Sequence, residues 1–205
     1  MKKGKFYTGE SVKIGIDLDG VVIDSETTFR TYEEIYDLLH LKGNHLVDRT
    51  EPKYQWRYNW TQEQKDDFAQ QYYLKVSRES GLMSGFLAVF QLLKAKGFEF
   101  VVITARGEII KAMKDDAERV LRENDIKFDK YYWNIKDKVE ICQKEKIDYM
   151  IDDDWRIIQD LANHKIKTLY FRDTGLKKLP QNEYIKEVNN WGDVFRFFYE
   201  LDKNE

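Results

Sequence analysis

The chain has 205 residues, 35% charged and 42% hydrophobic, with a formal net charge of −3. That size and balance describe a soluble globular chain of one domain with an insertion, or one and a half domains, and the charge supplies no global basic field for a nucleic-acid polymer. A single cysteine, Cys142, excludes an internal disulfide and fits a reducing compartment. No apolar run follows Lys2, Lys3 and Lys5, and none is long enough to span a bilayer, so the expected location is cytoplasmic.

In chain order, the first informative stretch is 13–22, an apolar, β-prone run interrupted by Asp17-Leu18-Asp19-Gly20. On a strand, residues i and i+2 share a side, so Asp17 and Asp19 project together while Leu18 turns inward. Two adjacent carboxylates repel and cost roughly several kcal/mol to bury unpaired. A cation between them answers that cost, and an oxygen-only site with few ligands suits Mg²⁺. A hairpin closed by an Asp-Gly turn fits poorly, because the sequence after Val22-Ile23 reads as a helix start at Asp24-Ser25-Glu26-Thr27. An EF-hand loop fails as well: its glycine belongs at the sixth position, and Gly20 stands at the fourth.

Residues 27–85 lack a buried strand and are rich in aromatics. They read as a mostly helical insertion with its best helices over 33–41 and 62–77, the second capped by Thr61. After Pro52, Tyr54, Trp56, Tyr58 and Trp60 alternate in a polar stretch that reads as extended chain, which places the four rings on one side. They form either the insertion's own small core or a stacking platform for a substrate base, with Tyr54, Trp56 and Trp60 as the candidate contacts.

From Phe86 the pattern alternates. A helix ends near Gly97, a buried strand covers 98–104, and an amphipathic helix over 109–123 carries Ile110, Met113, Ala117, Val120 and Leu121. A short strand at 131–133, a helix over 137–146, a strand over 147–152, a helix over 155–164 and a strand over 168–171 follow. Val194, Phe197, Phe198 and Leu201 form the stripe of a closing helix. The fold class is therefore α/β, a Rossmann-like parallel sheet with helices on both faces, residues 1–26 and 86–205, plus the helical cap, residues 27–85.

Parallel strands bring their carboxyl ends to one edge, where open α/β sheets bind ligands. Three of these strands end in polar groups: Asp17 and Asp19, then Thr104-Ala105-Arg106, then Asp152-Asp153-Asp154. Each group has an ordinary explanation as a helix cap or a solvated surface residue. Three coincidences at three strand ends are harder to dismiss.

Together with a lysine upstream of Ile151-Asp152-Asp153, these motifs resemble, in order and spacing, the haloacid dehalogenase superfamily of phosphohydrolases. The insertion is similar to that superfamily's first type of cap. The Ile-Asp-Asp ending and the aromatic cap resemble the 5'(3')-deoxyribonucleotidase branch. The resemblance implies a phosphomonoesterase with Asp17 as nucleophile and Asp19 as general acid and base. It also implies phosphate binding by Thr104, Ala105, Arg106 and Lys138, with Lys136 the alternative lysine. Mg²⁺ would be held by Asp17, the Asp19 carbonyl and Asp153, with Asp152 beside them. Arg106 departs from the branch, in which a small residue and a proline follow the threonine; it either binds phosphate or ties down the loop. The implied substrate is a small soluble phosphate ester, first a nucleoside monophosphate. A sugar-phosphate phosphatase, a phosphomutase and a non-catalytic metal-binding module are the alternatives. His40, His45 and His164 lie outside the motifs. The oligomeric state is not encoded in any of these features.

Overall fold

The structure is a computed structural model, describing residues 11–107, 111–172 and 177–204. The N-terminal lysines and Ile109 and Ile110, assigned above to the start of a helix, lie outside the described residues.

Six parallel strands form one sheet: β1 (Lys13–Ile16), β2 (Glu99–Ile103), β3 (Lys130–Tyr132), β4 (Tyr149–Asp152), β5 (Thr168–Phe171) and β6 (Ile185–Val188), in the order β3-β2-β1-β4-β5-β6. The last strand is absent from the sequence reading. The chain moves outward from β1 to β3 and then returns to place β4 on the other side of β1. The crevice between β1 and β4 is thus the topological switch point, the position at which such sheets bind ligands. Parallel register pairs Ile16 with Val102 on one side and with Ile151 on the other.

Strand periodicity divides the side chains between two layers. Ile14, Ile16, Phe100, Val102, Ile151 and Leu169 pack with helices α4 (Phe86–Ala95), α5 (Lys111–Glu123) and α8 (Trp191–Asn204). Val101, Ile103 and Met150 face α6 (Lys138–Glu145) and α7 (Trp155–Asn163) through Val139, Ile141, Cys142 and Leu161. Gly15 sits at the tightest point of the second face, where a Cβ would come within 2.7 Å of Met150 Sδ. Gly97, with φ +91°, closes α4 as a left-handed terminus.

Between β1 and α4 lie α1 (Ser25–Leu41), α2 (Tyr54–Arg57) and α3 (Gln62–Glu79). Asp24 caps α1, accepting from the Thr27 amide at 3.2 Å, so the helix start read at Asp24-Ser25-Glu26-Thr27 and the helix read over 33–41 are one continuous helix. Thr61 and Gln64 form a capping box at α3. The outgoing and returning chains run side by side: Asp24 N–H donates to Gly81 O at 3.0 Å and Met83 N–H to Val22 O at 2.8 Å. The cap is thereby joined to the sheet by a hydrogen-bonded two-chain neck.

The expected extended run of rings is instead broken by the short helix α2. A helical turn puts Tyr54 and Tyr58 on one face, four residues apart, and turns Trp56 outward. Tyr54, Tyr58 and Trp60 are buried with Tyr36, Phe68, Tyr72 and Tyr73 in the cap's own core, and Met113 of α5 packs against that cluster. Trp60 stacks on Tyr58 at 4.4 Å and donates from Nε1 to Asp37 Oδ1 at 2.8 Å. Trp56 is 50% exposed, with the Arg156 guanidinium 3.9 Å from its ring centre. Lys53 pairs with Asp154 at 3.1 Å and the Trp155 indole donates to Glu51 at 3.4 Å, so the loop before α2 is fastened to α7. No helix among the described residues is long and apolar enough to cross a membrane.

This packing separates the two tryptophans. Trp60→Ala should lower the unfolding free energy by about 3–5 kcal/mol, whereas Trp56→Ala should cost less than about 1 kcal/mol. Denaturant titration of both variants checks this; equal costs would contradict the burial pattern.

Candidate active site

The strand ends deliver their polar groups to one cavity of about 490 Å³, lined on one side by the sheet edge and on the other by α1, the α2 loop and Tyr73 of α3. Asp17 continues the β1 ladder by one residue, donating its amide to Ile151 O at 3.0 Å. Beyond it the chain reverses tightly: the amides of Val22 and Ile23 both reach Leu18 O, at 2.9 and 2.8 Å. Leu18 is fully buried, so Asp17 and Asp19 are held at the edge by a side chain anchored in the core.

The two carboxylates do not share one counter-ion. Lys138, at the start of α6 and only 5% exposed, places Nζ 3.0 Å from Asp17 Oδ1 and 2.6 Å from Asp152 Oδ2. Burial pulls its pKa down, but the Asp152 and Asp17 carboxylates outweigh that and hold the ammonium above its ordinary pKa. Asp137 caps α6 through the amides of Val139 and Glu140, which fixes where Lys138 enters the site. Lys136 also lines the cavity, but Lys138 is the lysine placed against Asp17.

Asp19 is engaged by Arg106. Nε and Nη2 donate to its two oxygens at 3.0 and 2.7 Å, and Nη1 donates to Met113 O at 3.0 Å. Burial pushes the Asp19 carboxyl up, but the guanidinium overrides it and holds the pKa below the usual range. Arg106 thereby links Asp19 to α5. Thr104 is buried, and its Oγ accepts from the Arg106 amide at 3.2 Å, which leaves the hydroxyl proton free to donate. Ala105 and Gly107 complete that part of the lining.

At the end of β4, Asp152 spends both oxygens within the protein: Oδ2 on Lys138 and Oδ1 on the Asp154 amide at 2.9 Å. Oxygens of Asp17, Asp152 and Asp153 lie within 4.8 Å of one another. Burial, followed by repulsion from Asp152 and Asp17, drives the Asp153 carboxyl well above its ordinary pKa. Burial similarly raises Asp152 to about 6, against the pull of Lys138.

These residues fit a magnesium ion on three counts. The donors are all oxygens. Asp17 Oδ1 is buried without a hydrogen-bond donor, its contact with Lys138 being an ion pair only. Gly20, with φ +70°, makes room for Asp153: a Cβ there would fall 2.2 Å from Asp153 Oδ2. Asp17 and Asp153 would hold the ion, and Asp152 would orient Lys138.

Of the aromatic residues read as substrate contacts, Tyr54 lines the cavity, whereas Trp56 and Trp60 do not. The cavity also receives Phe29, Glu26 and Glu33 from α1, which the sequence reading missed. Their signal was available: 26, 29, 33 and 36 lie on one helical stripe once α1 starts at Ser25.

No protein-family model matches the chain, and no curated protein is similar to it in sequence. Solved structures share its fold, that of the haloacid dehalogenase-like hydrolases. A haloacid dehalogenase-like family hydrolase from Xanthomonas campestris superposes with a TM-score of 0.65 at 14% identity, covering 96% of this chain and 98% of its own. A protein described as a predicted phosphatase, from Clostridium acetobutylicum, gives 0.60 at 17% identity over 94% and 100% of the two chains. A HAD-hydrolase from Bacillus subtilis, solved bound to magnesium, gives 0.59 at 12% identity over 92% and 99%.

The carboxylate cluster makes stability depend on pH and metal together. A carboxyl with a raised folded-state pKa stabilises the fold while protonated; that contribution is full below the ordinary value of 3.8 and is lost as pH climbs through about 6 for Asp152, with the raised Asp153 carboxyl acting in the same direction. The melting temperature of metal-free protein should therefore fall from about pH 5 to about pH 8, and Mg²⁺ should raise it more at the upper end. Gly20→Ala should remove the Mg²⁺ increment. Equal increments at both pH values in a thermal-shift series would contradict the assignment.

Proposed function

We propose that the protein is a Mg²⁺-dependent phosphomonoesterase in which Asp17 forms an aspartyl-phosphate. The observation that carries this reading is the meeting, at the switch point, of the Asp17 carboxyl, a buried ammonium 3.0 Å from it, the Thr104 hydroxyl and the cluster of Asp17, Asp152 and Asp153 oxygens. When bound, the metal offsets the repulsion between carboxylate and phosphate and polarises the phosphoryl oxygens.

Asp17 attacks phosphorus, the P–O bond to the leaving group breaks, and the departing oxygen takes a proton from Asp19. Water then attacks the acyl phosphate, gives its proton to Asp19 and releases inorganic phosphate, which restores both carboxyl groups. Arg106 favours the carboxylate form of Asp19, the form that accepts the water's proton. Lys138 and the Thr104 hydroxyl offset charge on the transferring phosphoryl group. Within the class, a nucleoside monophosphate is the first substrate and a sugar phosphate the second. Phe29, Tyr54 and Tyr73 supply the aromatic surface that a nucleotide would meet.

Asp17→Asn should keep the fold and reduce phosphate release to background, because the amide cannot attack phosphorus; Asp19→Asn should cost about 10²–10⁴-fold. A chelator should abolish activity, excess Mg²⁺ should restore it, and Ca²⁺ should support it poorly. Near-normal turnover by purified Asp17→Asn protein would refute covalent catalysis at this residue.

A further inference from the structure

The cap wall of the cavity differs chemically from the phosphate end. Glu26 and Glu33 stand seven residues apart on the inward stripe of α1, and both line the cavity. Behind them Arg57, 1% exposed, donates Nη2 to Glu26 Oε1, Nη1 to Glu33 Oε2 and Nε to Glu51 O at 2.9 Å. Arg30 adds a second donor to Glu26 Oε1 at 2.8 Å. Each glutamate is therefore held through one oxygen. Among the described residues no hydrogen bond reaches Glu26 Oε2 or Glu33 Oε1. Gln55 lines the same wall, and its buried Oε1 has no partner either.

Ion triads of this kind add little stability over apolar packing, and carboxylate oxygens turned to a cavity without donors call for a donor from elsewhere. Arg57 and Arg30 behind the wall are paired with Glu26 and Glu33, so the wall offers substrate hydrogen-bond acceptors and no spare cation. Lys53, which also lines the cavity, is already paired with Asp154.

We propose that this wall is the leaving-group subsite and that it selects phosphate esters of neutral, hydroxyl-rich alcohols over esters with a second anionic group. Hydroxyls of a sugar or polyol would donate to Glu26, Glu33 and Gln55, while a carboxylate or second phosphate, with acceptors only, would find no donor at the same atoms. The inference deepens the phosphomonoesterase reading and rests on it.

A matched pair tests it: glucitol 6-phosphate and 6-phosphogluconate share one carbon skeleton and differ in CH₂OH against carboxylate at the end remote from phosphate. With Mg²⁺ and wild-type protein, kcat/KM should favour the glucitol ester by about tenfold or more, chiefly through KM. Glu33→Gln, close to isosteric and still able to accept from Arg57, should narrow that gap several-fold, again in KM. p-Nitrophenyl phosphate, with no hydroxyl in its leaving group, reports whether the variant's phosphate end is intact. Should the variant not fold, the wild-type ratio decides alone. Equal or better turnover of 6-phosphogluconate, with p-nitrophenyl phosphate still hydrolysed, would overturn the subsite while sparing the phosphatase reading. No phosphate from any of the three esters would overturn both.

Discussion

Everything at the carboxyl edge of the sheet depends on one electrostatic problem, the crowding of Asp17, Asp152 and Asp153 around a single lysine. Oxygens of the three carboxylates lie within 4.8 Å, and Lys138 touches only two of the residues. In a buried setting one ammonium cannot neutralise three carboxylates, and the remaining charge is expensive unless a cation or a proton arrives. Burial and repulsion from Asp152 and Asp17 raise the Asp153 carboxyl accordingly. Much of the local architecture maintains this strain. Gly20 clears space for Asp153, Asp137 starts α6 so that Lys138 arrives at its tip, and Leu18 pins the turn between the two catalytic candidates.

Arg106 belongs to the same economy of charge. It removes Asp19 from the crowd by giving it a private counter-ion, so the adjacent carboxylates of the first motif need not share one. The outcome is a division of labour: Asp17 faces the lysine and the acidic cluster, and Asp19 pairs with its own guanidinium. A second arginine, Arg57, does comparable work in the cap, holding Glu26 and Glu33 in place at the opposite wall. The cavity is thus built between two charge-balanced assemblies, one suited to phosphate and metal, the other to hydrogen-bond donors. The neck formed by Asp24 and Met83 hydrogen bonds, together with the Lys53–Asp154 pair, sets their separation.

Much of this was legible in the residues. Strand ends marked by Asp17, Thr104 and Asp152 stand out because apolar runs stop there abruptly, and parallel topology leaves them one edge to share. Edge strand β6 was not legible: Ile185 to Val188 is four residues long with Lys186 and Glu187 in its middle, too short and too polar to give a period. The cap aromatics misled because an alternation of two is also compatible with a single helical turn. Tyr54 and Tyr58 then face inward four residues apart, and Trp56 faces solvent. Glu26 and Glu33 were hidden because the helix start at Asp24-Ser25-Glu26-Thr27 and the helix over 33–41 are one element, and carboxylates look solvated until their shared stripe is seen to contain Phe29 and Tyr36. Arg57 could not be found at all from sequence, because its burial follows from those two acids.

The central claim, that the strained cluster exists to phosphorylate Asp17, is tested most directly by trapping the enzyme mid-turnover. Acid quench of a Mg²⁺-supported reaction with a turned-over phosphate ester, followed by peptide mass spectrometry, should find an acid-stable, base-labile phosphate on Asp17 alone. It should be absent when Mg²⁺ is withheld. Phosphate release at full rate with no phosphorylated peptide, or with the phosphate on another residue, would contradict the account.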